Sequence, residues 1–125
     1  MKNVLWLILI GAAAILFYDA IGAIASLSLG FDYYWLIFGS TVIYAMVGYF
    51  SANKKNVFIG AVAGAVMGLL DSTLGWYISW TLGPGRPDIE MDAIMIISTI
   101  FFVTILAGFI GLIGGFIVRA RNTIA

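Results

Sequence analysis

The chain has 125 residues, 63% of them hydrophobic and only 10% charged; a soluble domain is nearer half apolar and a quarter charged, so this composition belongs to a polytopic membrane protein. It contains no cysteine and no histidine, which excludes disulfides, thiol nucleophiles, thiolate and imidazole metal sites and the usual proton shuttle. Six basic and six acidic residues cancel, but they are distributed unevenly along the chain, and that unevenness sets the expected threading.

The first apolar stretch covers residues 4–29. It is longer than the roughly 7–15 residues of a signal-peptide core, so it reads as a span and not as a leader. At about 1.5 Å per residue it reaches about 39 Å, enough to cross a hydrocarbon core of about 30 Å with some tilt. Helical spacing puts Ala12, Ile15, Asp19, Gly22 and Ser26 on one face, and Leu5, Leu9, Leu16 and Leu27 on faces suited to lipid or packing. Gly30 can close this helix in a left-handed conformation, and Asp32 is placed to cap the next one. Tyr33, Tyr34 and Trp35 form an aromatic cluster of the kind found at headgroup level.

The second span covers 33–51, with Thr41, Tyr44, Gly48 and Ser51 on one face, and ends in the basic turn Asn53-Lys54-Lys55-Asn56. So short a turn makes the second and third helices antiparallel neighbours. The third span covers 57–82. Gly60, Gly64 and Gly68 recur every four residues along it, Asp71 then interrupts it, and Gly75 follows; Trp76, Tyr77 and Trp80 make a second aromatic belt. Two prolines and two glycines keep the external loop 83–88 out of helix. The fourth span is expected over 89–118, capped by Asp88, with Glu90 and Asp92 in its first turn. Thr104, Gly108, Gly111 and Gly115 share one of its faces, and Arg119 and Arg121 close it. The fold class is therefore all-α: a polytopic four-helix membrane bundle forming a single transmembrane domain over 1–125.

Lys2, Lys54, Lys55, Arg119 and Arg121 fall on one side of a four-span arrangement, and Asp32, Arg86, Asp88, Glu90 and Asp92 on the other. Basic residues near span ends stay cytoplasmic. Both termini are thus expected in the cytoplasm, in a bacterial or archaeal cytoplasmic membrane. Setting residue i against i+53 pairs Gly11 with Gly64, Ala12 with Ala65, Leu16 with Leu69, Gly22 with Gly75, Ser26 with Ser79, Leu29 with Leu82 and Gly30 with Gly83. Such pairing fits two parallel helical-hairpin repeats with an axis along the membrane normal. One detail opposes it: Asp71 stands 52 residues after Asp19, not 53, which puts the acids about 100° out of register on ideal helices.

Glycine every four residues lets helix backbones approach closely, so Gly60, Gly64, Gly68, Gly75, Gly108, Gly111 and Gly115 are expected to pack helices. A carboxylate at membrane depth costs several kcal/mol unless it is neutral, paired or hydrated. Asp19 and Asp71 lie at similar depth near the middle of their spans, with no Lys, Arg or His in the membrane to pair with them. The partners on offer are the hydroxyls of Tyr18, Tyr44, Ser72, Thr73 and Thr104. Two such acids close together titrate as a coupled pair and make a candidate proton or monovalent-cation site, one that also attracts an organic cation. The blander expectation is that a protonated Asp simply hydrogen-bonds a neighbouring helix as structural glue. Arg86, Asp88 and Glu90 form a solvated external loop or a contact for an outside partner.

Phosphate-binding, nucleophile-elbow and zinc motifs are missing, and the few scattered bases do not suit nucleic acid. The expectation is a non-enzymatic protein without cofactor or metal: a small ion- or proton-coupled transporter or channel using embedded carboxylates, working as a homo-oligomer. The alternative is a structural or assembly subunit of a larger membrane protein complex.

Overall fold

The computed structural model describes residues 2–125 and is built from helices. Helix α1 runs Lys2–Leu29. A 3₁₀ turn, Tyr33–Leu36, leads into α2, Ile37–Lys54. Helix α3, Val57–Leu70, passes through a π-helical turn, Asp71–Gly75, into α4, Trp76–Leu82. Helix α5 runs Ala93–Ile124. Four continuous helical segments, Asn3–Leu29, Tyr33–Lys54, Val57–Leu82 and Ala93–Ile124, are long and apolar enough to cross a membrane.

Local chemistry explains the ends. The Asp32 side chain accepts from the Tyr34 N–H at 3.0 Å and starts the 3₁₀ turn. Asn56 accepts from the Ile59 N–H at 3.0 Å and starts α3. Helix α5 begins later than expected, because Asp92 and not Asp88 caps it, accepting from the Met95 N–H at 2.8 Å. Glu90 therefore lies in the connection, ahead of the first turn, and the connection extends over 83–92. Pro87 keeps the residues around it from joining a helix, while Asp92 is the first acid with an uninterrupted helical run behind it. Gly30 and Gly83 both take positive φ, 74° and 111°. Their N–H groups bond back to the Ser26 and Ser79 carbonyls at 2.9 Å in each case, so α1 and α4 end in the same way.

Helices α2, α3 and α5 form a close-packed trio in which backbones touch. A Cβ added at Gly60 would lie 2.7 Å from the Gly48 carbonyl oxygen, and one at Gly64 2.8 Å from the Gly111 Cα. Gly68 faces the Val103 carbonyl and Ala107 on α5, and Gly115 abuts Ala52 and Val57 where α3 begins. Gly108 is looser, with its nearest neighbour, the Ala65 Cβ, 3.4 Å from where its own Cβ would be. Ile15, Tyr44, Val47, Ala63, Met67 and Ala107 fill the core between the helices.

Helix α1 leans on α2, α3 and α4 and does not pack against α5. This departs from the two-hairpin repeat, which would pair α1 with α5 as it pairs α3 with α2. The reason is side-chain size: α1 has no glycine stripe of the α3 kind, and its outer faces carry Leu5, Trp6, Leu9, Phe17 and Ile21, all exposed. The outer face of α5 is equally apolar, with Ile97, Phe101, Phe109, Ile113 and Phe116 exposed.

The glycine contacts predict opposite effects for two substitutions. Gly64→Ala forces a methyl against the Gly111 backbone, which cannot rotate away, and should destabilise by about 1–3 kcal/mol. Gly108→Ala meets only ordinary contact and should be neutral or gain up to about 1 kcal/mol from helix propensity. Thermal melts of the purified protein in detergent distinguish the two, and equal effects would contradict the packing described.

Candidate functional site

The inward face of α1 carries Gly11, Ile15, Asp19, Gly22 and Ser26, all buried. The inward face of the third segment carries Ala63, Met67, Asp71, Gly75 and Ser79, also buried. Up to the acids the two series differ by 52 residues; from Gly22 and Gly75 onward they differ by 53. The change falls inside the π turn, which takes in one extra residue: the Trp76 N–H reaches back five residues to the Asp71 carbonyl. The offset that opposed equivalence of the two aspartates is thus absorbed by local backbone geometry. Neighbouring hydroxyls help to accommodate the turn. Ser72 donates to the Gly68 carbonyl at 2.8 Å and Thr73 to the Leu69 carbonyl at 2.6 Å, satisfying acceptors just ahead of it.

The acids meet at this turn. Asp19 is 3% exposed and Asp71 8% exposed, so both are inside the protein. Their carboxyl groups lie within hydrogen-bonding reach of each other. Both groups converge on Gly75, where a Cβ would collide with Asp19 Oδ2 and approach Asp71 Oδ1 to 2.9 Å; this position needs a residue without a side chain. The Tyr44 hydroxyl donates to Asp71 Oδ2. The Tyr33 hydroxyl reaches Asp19 Oδ1 at 3.4 Å. Ser40 is within reach of both Tyr44 and Asp71, and Ser79 of Tyr33. Asp19 Oδ2 is buried with no hydrogen-bond partner. Two carboxylates offer one another acceptors only, so one proton held between them would supply the missing donor.

A cavity of about 320 Å³ opens onto the pair. The aromatic residues Tyr33, Tyr34, Tyr44, Trp76 and Trp80 line it together with Asp19 and Asp71; Ser40, Ser79 and Thr99 add polar edges. Trp76 and Trp80 are stacked, with ring centroids 5.7 Å apart. Gly85, Pro87 and Met91 of the long connection line the mouth, so the cavity opens at the 3₁₀-turn end of the bundle. No Lys or Arg is among its described lining residues. Arg86, beside the mouth, is exposed and donates to the Trp80 carbonyl at 3.2 Å, away from the acids. Asp88 and Glu90 are exposed in the same connection.

Of the residues singled out in the sequence, Asp19, Asp71, Tyr44 and Gly75 come together here. Tyr18 is not among the described lining residues: its hydroxyl donates to the Leu36 carbonyl at 2.8 Å and ties α1 to the 3₁₀ turn. Ser72 and Thr73 bond to their own helix. Tyr33, Trp76 and Trp80, which read as interface anchors, line the cavity instead, and Ser40 and Ser79 were not singled out as site residues. A signal for Ser79 was present, since it is the i+53 counterpart of Ser26; Ser40 had none. No group of three or more His, Cys, Asp or Glu side chains able to hold a metal occurs among the described residues. No family model matches the chain, and no curated protein or solved structure matches it either.

The hydroxyl contact gives a direct stability test. Tyr44→Phe removes a buried donor from Asp71 and should destabilise by about 1–3 kcal/mol. Tyr34→Phe, at an exposed ring, should stay within about 0.5 kcal/mol of the parent protein. Melting temperatures in detergent check both.

Proposed function

We propose that this chain is an integral membrane protein that carries a proton or a monovalent cation on the Asp19–Asp71 carboxyl pair. The observation that carries the reading is the meeting of two buried carboxyl groups from separate helices at the base of a cavity without a lining cation. Intramembrane carboxyl groups mark ion paths and proton relays and are by default a pointer to a functional site. Four long apolar helices and the exposed apolar faces of α1 and α5 support the membrane setting, since a water-facing surface of that kind would drive aggregation.

Positive charge near the span ends supports a cytoplasmic location for both termini and for the Lys54–Lys55 turn. In that orientation the cavity faces the outside. The glycine contacts among α2, α3 and α5 close the opposite end of the bundle, so a transported ion needs an inward-open arrangement of α1 against the trio, or a path between subunits. The matching inward faces of α1 and of α3 through α4 support a likeness of the first and third spans alone, since α1 does not pack against α5 as a two-hairpin repeat requires. The assembly-subunit alternative draws less support: Gly60, Gly64 and Gly68 already pack within the chain and are not available as a stripe for a partner.

Reconstitution into proteoliposomes tests the reading. The parent protein should dissipate an imposed proton or monovalent-cation gradient, and Asp19→Asn and Asp71→Asn should each lower that flux at least tenfold while keeping the helical content and monodispersity of the parent. Unchanged flux in both variants would end the proposal. Orientation is checked separately. The chain has no cysteine, so single Lys54→Cys and Arg86→Cys variants can be labelled cleanly in whole cells. A membrane-impermeant thiol reagent added outside should modify the second and spare the first.

A further inference from the structure

The cavity above the acid pair has a chemical character that the pair alone does not explain. A site built only to relay protons needs a narrow, hydrated path. Here about 320 Å³ lies against the carboxyl groups, within the range of pockets that hold small organic ligands. Five aromatic residues, Tyr33, Tyr34, Tyr44, Trp76 and Trp80, form a large part of its wall.

Each alternative class of occupant meets a specific obstacle. An anion would face two carboxyl groups with no lining Lys or Arg to compensate. A divalent metal ion wants six or more oxygen ligands, or several His, Cys or carboxylate groups. The described residues bring only two acids together and contain no larger cluster. An alkali cation would use the carboxyl and hydroxyl oxygens of the lining and leave the indole and phenol faces of the wall without a partner. A substituted ammonium, by contrast, carries little hydration. It interacts favourably with aromatic faces and with a carboxylate at the same time. Charge also matches: with one proton held between the acids the pair carries a single negative charge, which one monovalent cation neutralises.

We propose that this cavity binds a monovalent organic cation of the substituted-ammonium class, its charged nitrogen at the Asp19–Asp71 pair and its apolar substituents against Tyr33, Tyr44, Trp76 and Trp80. This deepens the preceding reading by naming the cargo class for the same acids. The cation enters past Gly85, Pro87 and Met91. Arg86, held on the Trp80 carbonyl, stands beside that mouth without occupying the acids.

Tetraethylammonium chloride is the probe. Trp6 and Trp35 are exposed on the outside of the bundle; in a Trp6→Phe/Trp35→Phe background, excited at the red edge where tyrosine does not absorb, only the two cavity tryptophans report. Titration of the detergent-purified protein should give a saturable fluorescence change, and potassium chloride at equal ionic strength should not. Asp19→Asn should weaken binding at least tenfold. If that variant does not fold, Trp80→Leu at the cavity wall should weaken it by a similar factor. A missing signal, an equal response to potassium, or unchanged affinity in a folded variant would each overturn the proposal. Binding in detergent requires no transport, so the two readings fail separately. Proton flux without tetraethylammonium binding refutes the cargo class alone, and binding without any flux leaves the site but removes carriage.

Discussion

The structure turns on one constraint: two carboxyl groups are buried side by side with no Lys or Arg among the described residues that line their cavity. Burying even one such group is expensive in a medium of low dielectric. What makes the arrangement tolerable is neutral hydrogen bonding. Tyr44 donates to one acid, Tyr33 approaches the other, and Ser40 stands close to Asp71. A shared proton would complete the set at Asp19 Oδ2. These partners come from different elements, so the polar cluster links α1, the 3₁₀ turn, α2 and the π turn at a single point.

That point sits between two kinds of packing. Below it, glycines let α2, α3 and α5 touch through their backbones and form a rigid frame. Above it the aromatic side chains are too large for such contact, and the helices stay far enough apart for a cavity to remain. Helix α1 belongs fully to neither regime. It reaches the frame through Gly11, whose missing side chain makes room for Val47 and Met67, and through Asp19 at Gly75, but it leaves α5 untouched. A helix attached chiefly along one line to a rigid trio is mechanically the part of this bundle whose displacement would disturb fewest contacts.

The π turn connects these features. One additional residue between Asp71 and Gly75 rotates the start of α4 relative to α3, so the carboxyl group, the glycine and Ser79 all face inward although their spacing departs from that of α1. Without that residue, either the acid or the aromatic end of the segment would turn towards the surface. The turn therefore serves the site as much as the helix, and the hydroxyls of Ser72 and Thr73 accommodate it locally.

Much was legible from the sequence because it depends on neighbours in the chain. The number of helices, the turns at Gly30 and Lys54–Lys55, and the cap at Asp32 follow from hydropathy, glycine and short polar side chains acting over a few residues. The unusual chemistry of Asp19 and Asp71 was equally visible, since a charge within an apolar run has no local explanation. Local preference does not fix the start of α5, because Asp88 and Asp92 are equivalent by that measure, and only the path of the loop past Pro87 selects the second. Of the hydroxyls that serve the acids only Tyr44 was legible: Tyr18, adjacent to Asp19 in sequence, turns to the Leu36 carbonyl, while Tyr33 of the 3₁₀ turn and Ser40 of α2 face the pair. The sequence by itself thus determined four helices long and apolar enough to cross a membrane and the presence of two acids within apolar runs. Only the tertiary structure decided that the acids meet, that five aromatic residues line the space above them, and that α1 stands apart from α5. Those outcomes depend on how closely glycine and aromatic surfaces permit helices to approach, and on a one-residue change of helical phase, neither of which belongs to any single stretch of chain.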